Sequence, residues 1–156
     1  MKKIILTILA LLLLPSMLYA AGSCTETIKN YTGGMVIVSF ACTGDSANGS
    51  IPAKAFSAAA MALIEGTHWL AQVKVYPTTG GTAPDAADVT VTMNGMDLLG
   101  GKGVNLIHAT ATQDTLPYSS FMALYRYPPV TDTITTAVAN QGTGSANWTI
   151  DHIFSR

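Results

Sequence analysis

Four glycines and a lysine follow an apparent strand in the stretch Val89–Asn105, VTVTMNGMDLLGGKGVN. Glycine-rich turns after a strand can cradle phosphate with backbone N–H groups, so nucleotide chemistry is the first reading to weigh. A Walker-type loop needs Gly, four residues, then Gly-Lys-Ser/Thr. Gly101-Lys102 would require a glycine where Met96 stands, and the magnesium-holding hydroxyl is replaced by Gly103. The dinucleotide fingerprint fails as well, because Gly101 and Gly103 are followed by Leu106 at the third position. Asn94-Gly95 offers something different. Both residues tolerate positive φ, and between two apolar runs this dipeptide signals a two-residue hairpin turn. Gly100, Gly101 and Gly103 then read as bends of the backbone after a short strand.

Other groups with catalytic potential are scattered. His68, His108 and His152 have no pair at zinc-ligand spacing. His152 lies on an otherwise apolar strand face, which predicts a hydrogen-bonded core or rim histidine. No Gly-x-Ser-x-Gly elbow is present for a serine nucleophile. Asp85, Asp88 and Asp97 could meet a calcium ion with loop carbonyls, but no ligand loop surrounds them; Asp85 and Asp88 read as turn formers after Pro84. Glycan hydrolysis would need two facing carboxylates from among Glu65, Asp97 and Asp114, whose separations in sequence say nothing of their separation in space. The sequence therefore predicts no catalytic residue, no metal ligand and no cofactor. Tyr118, Phe121, Tyr125 and Tyr127, in YSSFMALYRYPP, form an aromatic cluster that either packs inside or serves as a surface for a partner.

Bulk properties narrow the class. MKK, the apolar run Ile4–Leu14, Pro15 and the small residues up to Ala20 have the three-part layout of a secretory signal peptide. The apolar run is shorter than the ~20 residues a membrane span needs. Cleavage after Ala20 would leave residues 21–156 as one domain and place it in the periplasm or outside the cell. Losing Lys2 and Lys3 takes the basic residues from 8 to 6 against 9 acidic ones, so net charge moves from −1 to −3. That balance argues against nucleic acid as a partner. Cys24 and Cys42 suggest one disulfide in an exported chain. Taking Gly33-Gly34 as a two-residue turn puts Cys24 opposite residues 41–43, close enough to bridge. Two free thiols, or lipid attachment to Cys24 in AGSC, are the competing readings.

The elements that must position these groups are mostly strands. MVIVSFA, DVTVTM, TDTITTAVAN and ANWTIDHIF alternate or carry β-branched and aromatic residues between turn formers. WLAQVKVY alternates too, with Trp69, Ala71, Val73 and Val75 expected on one face. The segment PAKAFSAAAMALIEG departs from this pattern: Phe56, Ala60, Leu63 and Ile64 recur at helical spacing, predicting a short helix from Ala55 to Glu65 that covers an end or edge. Many half-buried antiparallel strands in one domain predict an all-β, jelly-roll-like sandwich with one short helix.

The stretch GGTAPDAADVTVTMNGMDLLGGKGVNLIHATATQDTLPY resembles a segment of small proteins encoded by tailed bacteriophages. There a GGTAP stretch and a strand lead into D-L-L-G-G-x-G-x-N and then a T…P segment. The C-terminal DTITTAVANQGTGSANWTIDHIFSR is similar to their final strand pair. The resemblance covers roughly Gly80 to Arg156. Ala87 replaces a common Asp or Tyr, and Asn94-Gly95 replaces an acidic turn. It implies a virion-associated or uncharacterised phage protein with a β-sandwich fold; the partners expected are other particle proteins or copies of itself. It carries no catalytic residues to transfer. The expectation is a non-enzymatic phage structural or accessory protein, with an exported periplasmic or cell-surface binding protein as the alternative.

Overall fold

In the computed structural model, the described residues are 21–119, 122–125 and 127–156. Residues 1–20, on which the expected signal peptide falls, and the aromatic residue Phe121 lie outside them. The chain forms β1 (Ser23–Tyr31), β2 (Met35–Thr43), β3 (Lys54–Ala55), α1 (Ala58–Ile64), β4 (Trp69–Pro77), β5 (Asp88–Met93) and β6 (Met96–Asp97). It continues with β7 (Gln113–Thr115), β8 (Tyr118–Ser119), β9 (Leu124–Tyr125), β10 (Ile134–Ala139) and β11 (Asn147–Ser155).

One sheet has the order β1-β2-β11-β4-β7 and the other β3-β10-β5-β6, with every pairing antiparallel. Apart from the β5–β6 hairpin within one sheet and the separate β8–β9 pair, the chain crosses from sheet to sheet between β2 and β11, so β2-β11-β4-β7 and β3-β10-β5-β6 together make an eight-stranded jelly roll. β1 is an additional edge strand, and β11, the last strand, lies in the middle of its sheet.

Alternation decides which side chains enter the core. Val36, Val38, Phe40 and Cys42 of β2, Val89, Val91 and Met93 of β5, and Trp148, Ile150, His152 and Phe154 of β11 are all buried. The Phe56 ring packs edge-on against Phe40, His152 and Phe154, with centroids 5.3, 4.9 and 5.9 Å away.

Three local expectations are corrected. The β1–β2 loop has three residues, Thr32–Gly34, with Gly33 and Gly34 both at positive φ. Register is thereby shifted by one, and Cys24 stands directly opposite Cys42. The helix starts at Ala58, not Ala55. Lys54 and Ala55 pair with β10, and Ser57 is the N-cap, its hydroxyl accepting the Ala60 N–H at 3.2 Å. Carboxylate oxygens of Glu26 on β1 accept from the Ser57 N–H at 2.9 Å and from its hydroxyl, tying the helix start to the extra strand. Finally, β4 changes phase: the register with β11 shifts between Ile153 and Phe154, so Leu70, Val73 and Val75 are buried while Trp69 is 42% exposed. A bulge of one residue reverses the face that strict alternation assigns.

Candidate functional site

The disulfide joins Cys24 and Cys42 across adjacent strands, with Cα atoms 4.0 Å apart. The bond occupies the sulfur that lipid attachment at Cys24 would require. Residue Gly22, just before β1, is buried where a Cβ would stand 2.1 Å from the Ser50 carbonyl oxygen. The start of the described chain is therefore packed into the fold as well as cross-linked. With the cysteines 18 residues apart, reduction is expected to cost about 3 kcal/mol by chain entropy. Urea titrations with and without reductant measure it; superimposable curves would count against a stabilising bond.

The glycine stretch is a pair of turns. Asn94 (φ 51°) and Gly95 (φ 74°) connect Met93 to its cross-strand partner Met96. Asp97 then organises the bend that follows, one carboxylate oxygen accepting the Leu99 N–H at 3.0 Å and the other the Gly101 N–H at 2.8 Å. Gly103 is buried against β5: its carbonyl accepts the Val89 N–H at 2.8 Å, and a Cβ there would lie 1.8 Å from the Val89 oxygen. Close approach of two backbones accounts for this glycine without a ligand.

The remaining candidates are engaged separately. Asp85 accepts the Gly142 N–H at 3.0 Å, and Asp88 accepts from the Asn105 N–H and the Asn140 amide at 2.8 and 2.6 Å. Asp114 on β7 takes a hydrogen bond from the Gln72 amide at 2.5 Å, whereas Glu65 ends α1 and Asp97 belongs to the β6 turn. Among the described residues, no three His, Cys, Asp or Glu side chains form a metal-holding group. Nδ1 of His108 accepts two backbone N–H groups of its own loop. His68 is buried beside Thr67, and burial first, then the Arg156 charge, lowers its pKa.

His152 is fully buried and bridges the two sheets. Its Nδ1–H donates to the Val38 carbonyl at 3.0 Å, which leaves Nε2 to accept from the Thr136 hydroxyl of β10 at 2.8 Å. Burial drives its pKa down to about 4, against smaller opposing contributions from the Val38 hydrogen bond and from Asp151 and Glu26. This is a neutral structural histidine, held as one tautomer.

The aromatic cluster occupies different ground. Between β7 and β10 the chain leaves the sandwich, forms the small β8–β9 hairpin, and returns beside β4. Its base is anchored by buried Pro117 and Pro128, by the Tyr118 N–H on the Leu98 carbonyl at 3.0 Å, and by the Leu70 N–H on the Pro128 carbonyl at 3.2 Å. Tyr118 and Tyr125 are cross-strand partners with ring centroids 5.1 Å apart at 68°. Leu124, Tyr125 and Tyr127 are 41, 56 and 57% exposed, and Leu116 is exposed beside them. Lys102, from the glycine stretch, holds its Nζ 4.7 Å above the Tyr118 ring. The fold thus joins two features 16 residues apart in sequence, a contact that neither motif signals on its own. Leucine and tyrosine at the tip, with one ammonium at the base, can bury apolar area against another macromolecule and donate polar contacts at the rim.

Fold and site together define a disulfide-linked jelly-roll sandwich that presents an aromatic hairpin. No protein-family model, curated protein or solved structure matches the chain.

Proposed function

We propose that the protein is a non-catalytic docking module of a bacteriophage particle, attaching through the β8–β9 hairpin, with Leu116 and Tyr127 at its flanks, to other particle proteins or to further copies of itself. The observation that carries the docking reading is the exposure of Leu116, Leu124, Tyr125 and Tyr127 on a projection whose two ends are fixed in the sandwich. Contiguous exposed apolar groups of this kind mark interaction sites in stable folds. The phage setting rests on the resemblance of Gly80–Arg156 and on the jelly roll, an architecture common in capsid and lectin domains, which is an analogy of fold alone.

The test is mass spectrometry of purified particles with wild-type chain and with Leu124→Ser/Tyr125→Ser. Wild type is expected in the particle, and the double variant at least about tenfold less, with an unchanged melting temperature. Consistent absence of the wild-type chain from particles would overturn the phage setting; equal incorporation of the variant would remove the hairpin from the docking role.

The Cys24–Cys42 bond favours a second reading, an exported binding protein of the periplasm or cell surface, because such bonds persist in oxidising compartments. Fractionation with N-terminal sequencing separates the two. A chain beginning at Ala21 outside the cytoplasm supports export, and a retained Met1 supports assembly in the cytoplasm.

A further inference from the structure

The phase change in β4 creates a second surface, apart from the hairpin tip. Tyr31 pairs with Met35, and Ser155 pairs with Trp69, which in turn bridges to Pro129. Val36, Leu70 and Phe154, each the strand neighbour of a residue in this row, are buried. Alternation therefore turns Met35, Trp69 and Ser155 to the outer face of the five-stranded sheet, and Tyr31 with them. Tyr31, Met35 and Trp69 are 43, 38 and 42% exposed. The next row of the same face reads Lys29, Ile37, Ile153, Gln72. At the corner of the row, the Arg156 side chain lies along the β1–β2 loop, its methylenes near Gly34.

The charged side chains of these two rows and of Arg156 are basic. Lys29 and Arg156 are both exposed, and neither row contains an acidic residue. The nearest acidic side chains stand in the third row: Asp151, which takes a hydrogen bond from Tyr76 and faces Lys74 across the strands, and Asp114, which pairs with Lys74 from β7 and accepts from the Gln72 amide of the second row. In a chain with more acidic than basic residues, two cations set beside Tyr, Met and Trp form a local exception. Aromatic rings with one apolar and one polar end, beside basic side chains with long methylene stems, are suited to the boundary between lipid headgroups and acyl chains. Lys and Arg add attraction to a negatively charged leaflet.

We propose that the face bearing Tyr31, Met35 and Trp69, with Lys29 and Arg156, docks reversibly on anionic phospholipid bilayers. The contact is peripheral: the side chains enter the headgroup region and the sandwich stays intact.

Tryptophan fluorescence provides a direct readout. Trp148 is fully buried and Trp69 is the exposed one of the two tryptophans, so a lipid-dependent shift reports on the proposed face. Purified protein is titrated with vesicles of phosphatidylglycerol and phosphatidylcholine in equal parts, and with phosphatidylcholine alone. Expected are a blue shift and co-sedimentation with the anionic vesicles, both weakened by added salt. Lys29→Gln and Arg156→Gln should each lower the affinity about fivefold. Trp69→Ser should abolish the shift, while Tyr125→Ser on the hairpin should leave it unchanged. Equal binding to both vesicle types, no binding to either, or a shift that appears with protein concentration in the absence of lipid would overturn the proposal. The last of these would identify a second copy of the chain as the occupant. Because Trp69 and Lys29 are exposed, circular dichroism and the melting temperature are expected to match wild type.

Discussion

His152→Ala is expected to lose about 4 kcal/mol of folding stability at pH 7. The substitution empties a fully buried ring site between Phe40 and Phe56 and removes the partner of both the Val38 carbonyl and the Thr136 hydroxyl. Cavity formation and orphaned polar groups each contribute a few kcal/mol in such sites. The same residue predicts the response to acid. Above pH 6.5 the imidazole is neutral in both the folded and the unfolded chain. Its folded pKa is depressed to about 4, so between pH 6.5 and 4 the unfolded chain binds a proton that the folded chain excludes. Stability then falls as pH falls, by about 3 kcal/mol across that window, and this contribution levels off below it. Urea midpoints at pH 7, 5.5 and 4 check both statements. Wild type should lose stability steadily across the series, whereas His152→Ala should lose less over the same interval. Parallel pH profiles for the two proteins would refute the assignment of acid sensitivity to this ring.

Gly103→Ala should be almost as damaging, at about 4 kcal/mol. Its methyl group would meet the Val89 carbonyl oxygen at 1.8 Å, and relief requires the loop to move away from β5. That movement strains or breaks the hydrogen bonds that the Gly103 carbonyl accepts from the Val89 and Leu106 N–H groups, at 2.8 and 3.3 Å. Overpacking and the lost bonds together give the magnitude. Gly101→Ala is the informative contrast. A Cβ at Gly101 would meet nothing within 4 Å, and only its φ of +80° opposes the change, so the expected cost is about 1 kcal/mol. If these glycines served a bound phosphate, there would be no reason for the two variants to rank by backbone packing. Thermal melts of both variants without added ligand decide the point; equal losses would show that close packing does not govern this loop.

Strand identity was legible because residues alternate where one face of a sheet is buried. That signal placed Trp148, Ile150, His152 and Phe154 together, and the buried side chains of β11 follow it. It failed at Trp69 because a bulge inserts a residue without any mark in the side-chain pattern. It was off by one at the first hairpin because Gly33-Gly34 fits a two-residue turn as well as the three-residue loop that the strands adopt. The helix start moved for a different reason: Lys54 and Ala55 find strand partners on β10, a tertiary contact that helical spacing cannot foresee. Of the site, the tyrosines were visible in sequence, since four aromatic residues fall within YSSFMALYRY. Their exposure, and the arrival of Lys102 over Tyr118, depend on where the 116–127 excursion leaves and rejoins the sandwich. Nothing local encodes that.

The position of β11 has a consequence for the order of events during synthesis. β11 separates β2 from β4, joining Val38 to a residue 114 positions later and leaving neither neighbour a substitute partner. The β1–β2 hairpin can form early because its contacts are local, but the five-stranded sheet cannot close until β11 has been made. Topologies dominated by such distant pairings fold slowly, on the order of milliseconds to seconds. Until β11 is in place, β2 and β4 each keep one edge unpaired, so the centre of this sheet is the part of the fold open longest to pairing with another chain.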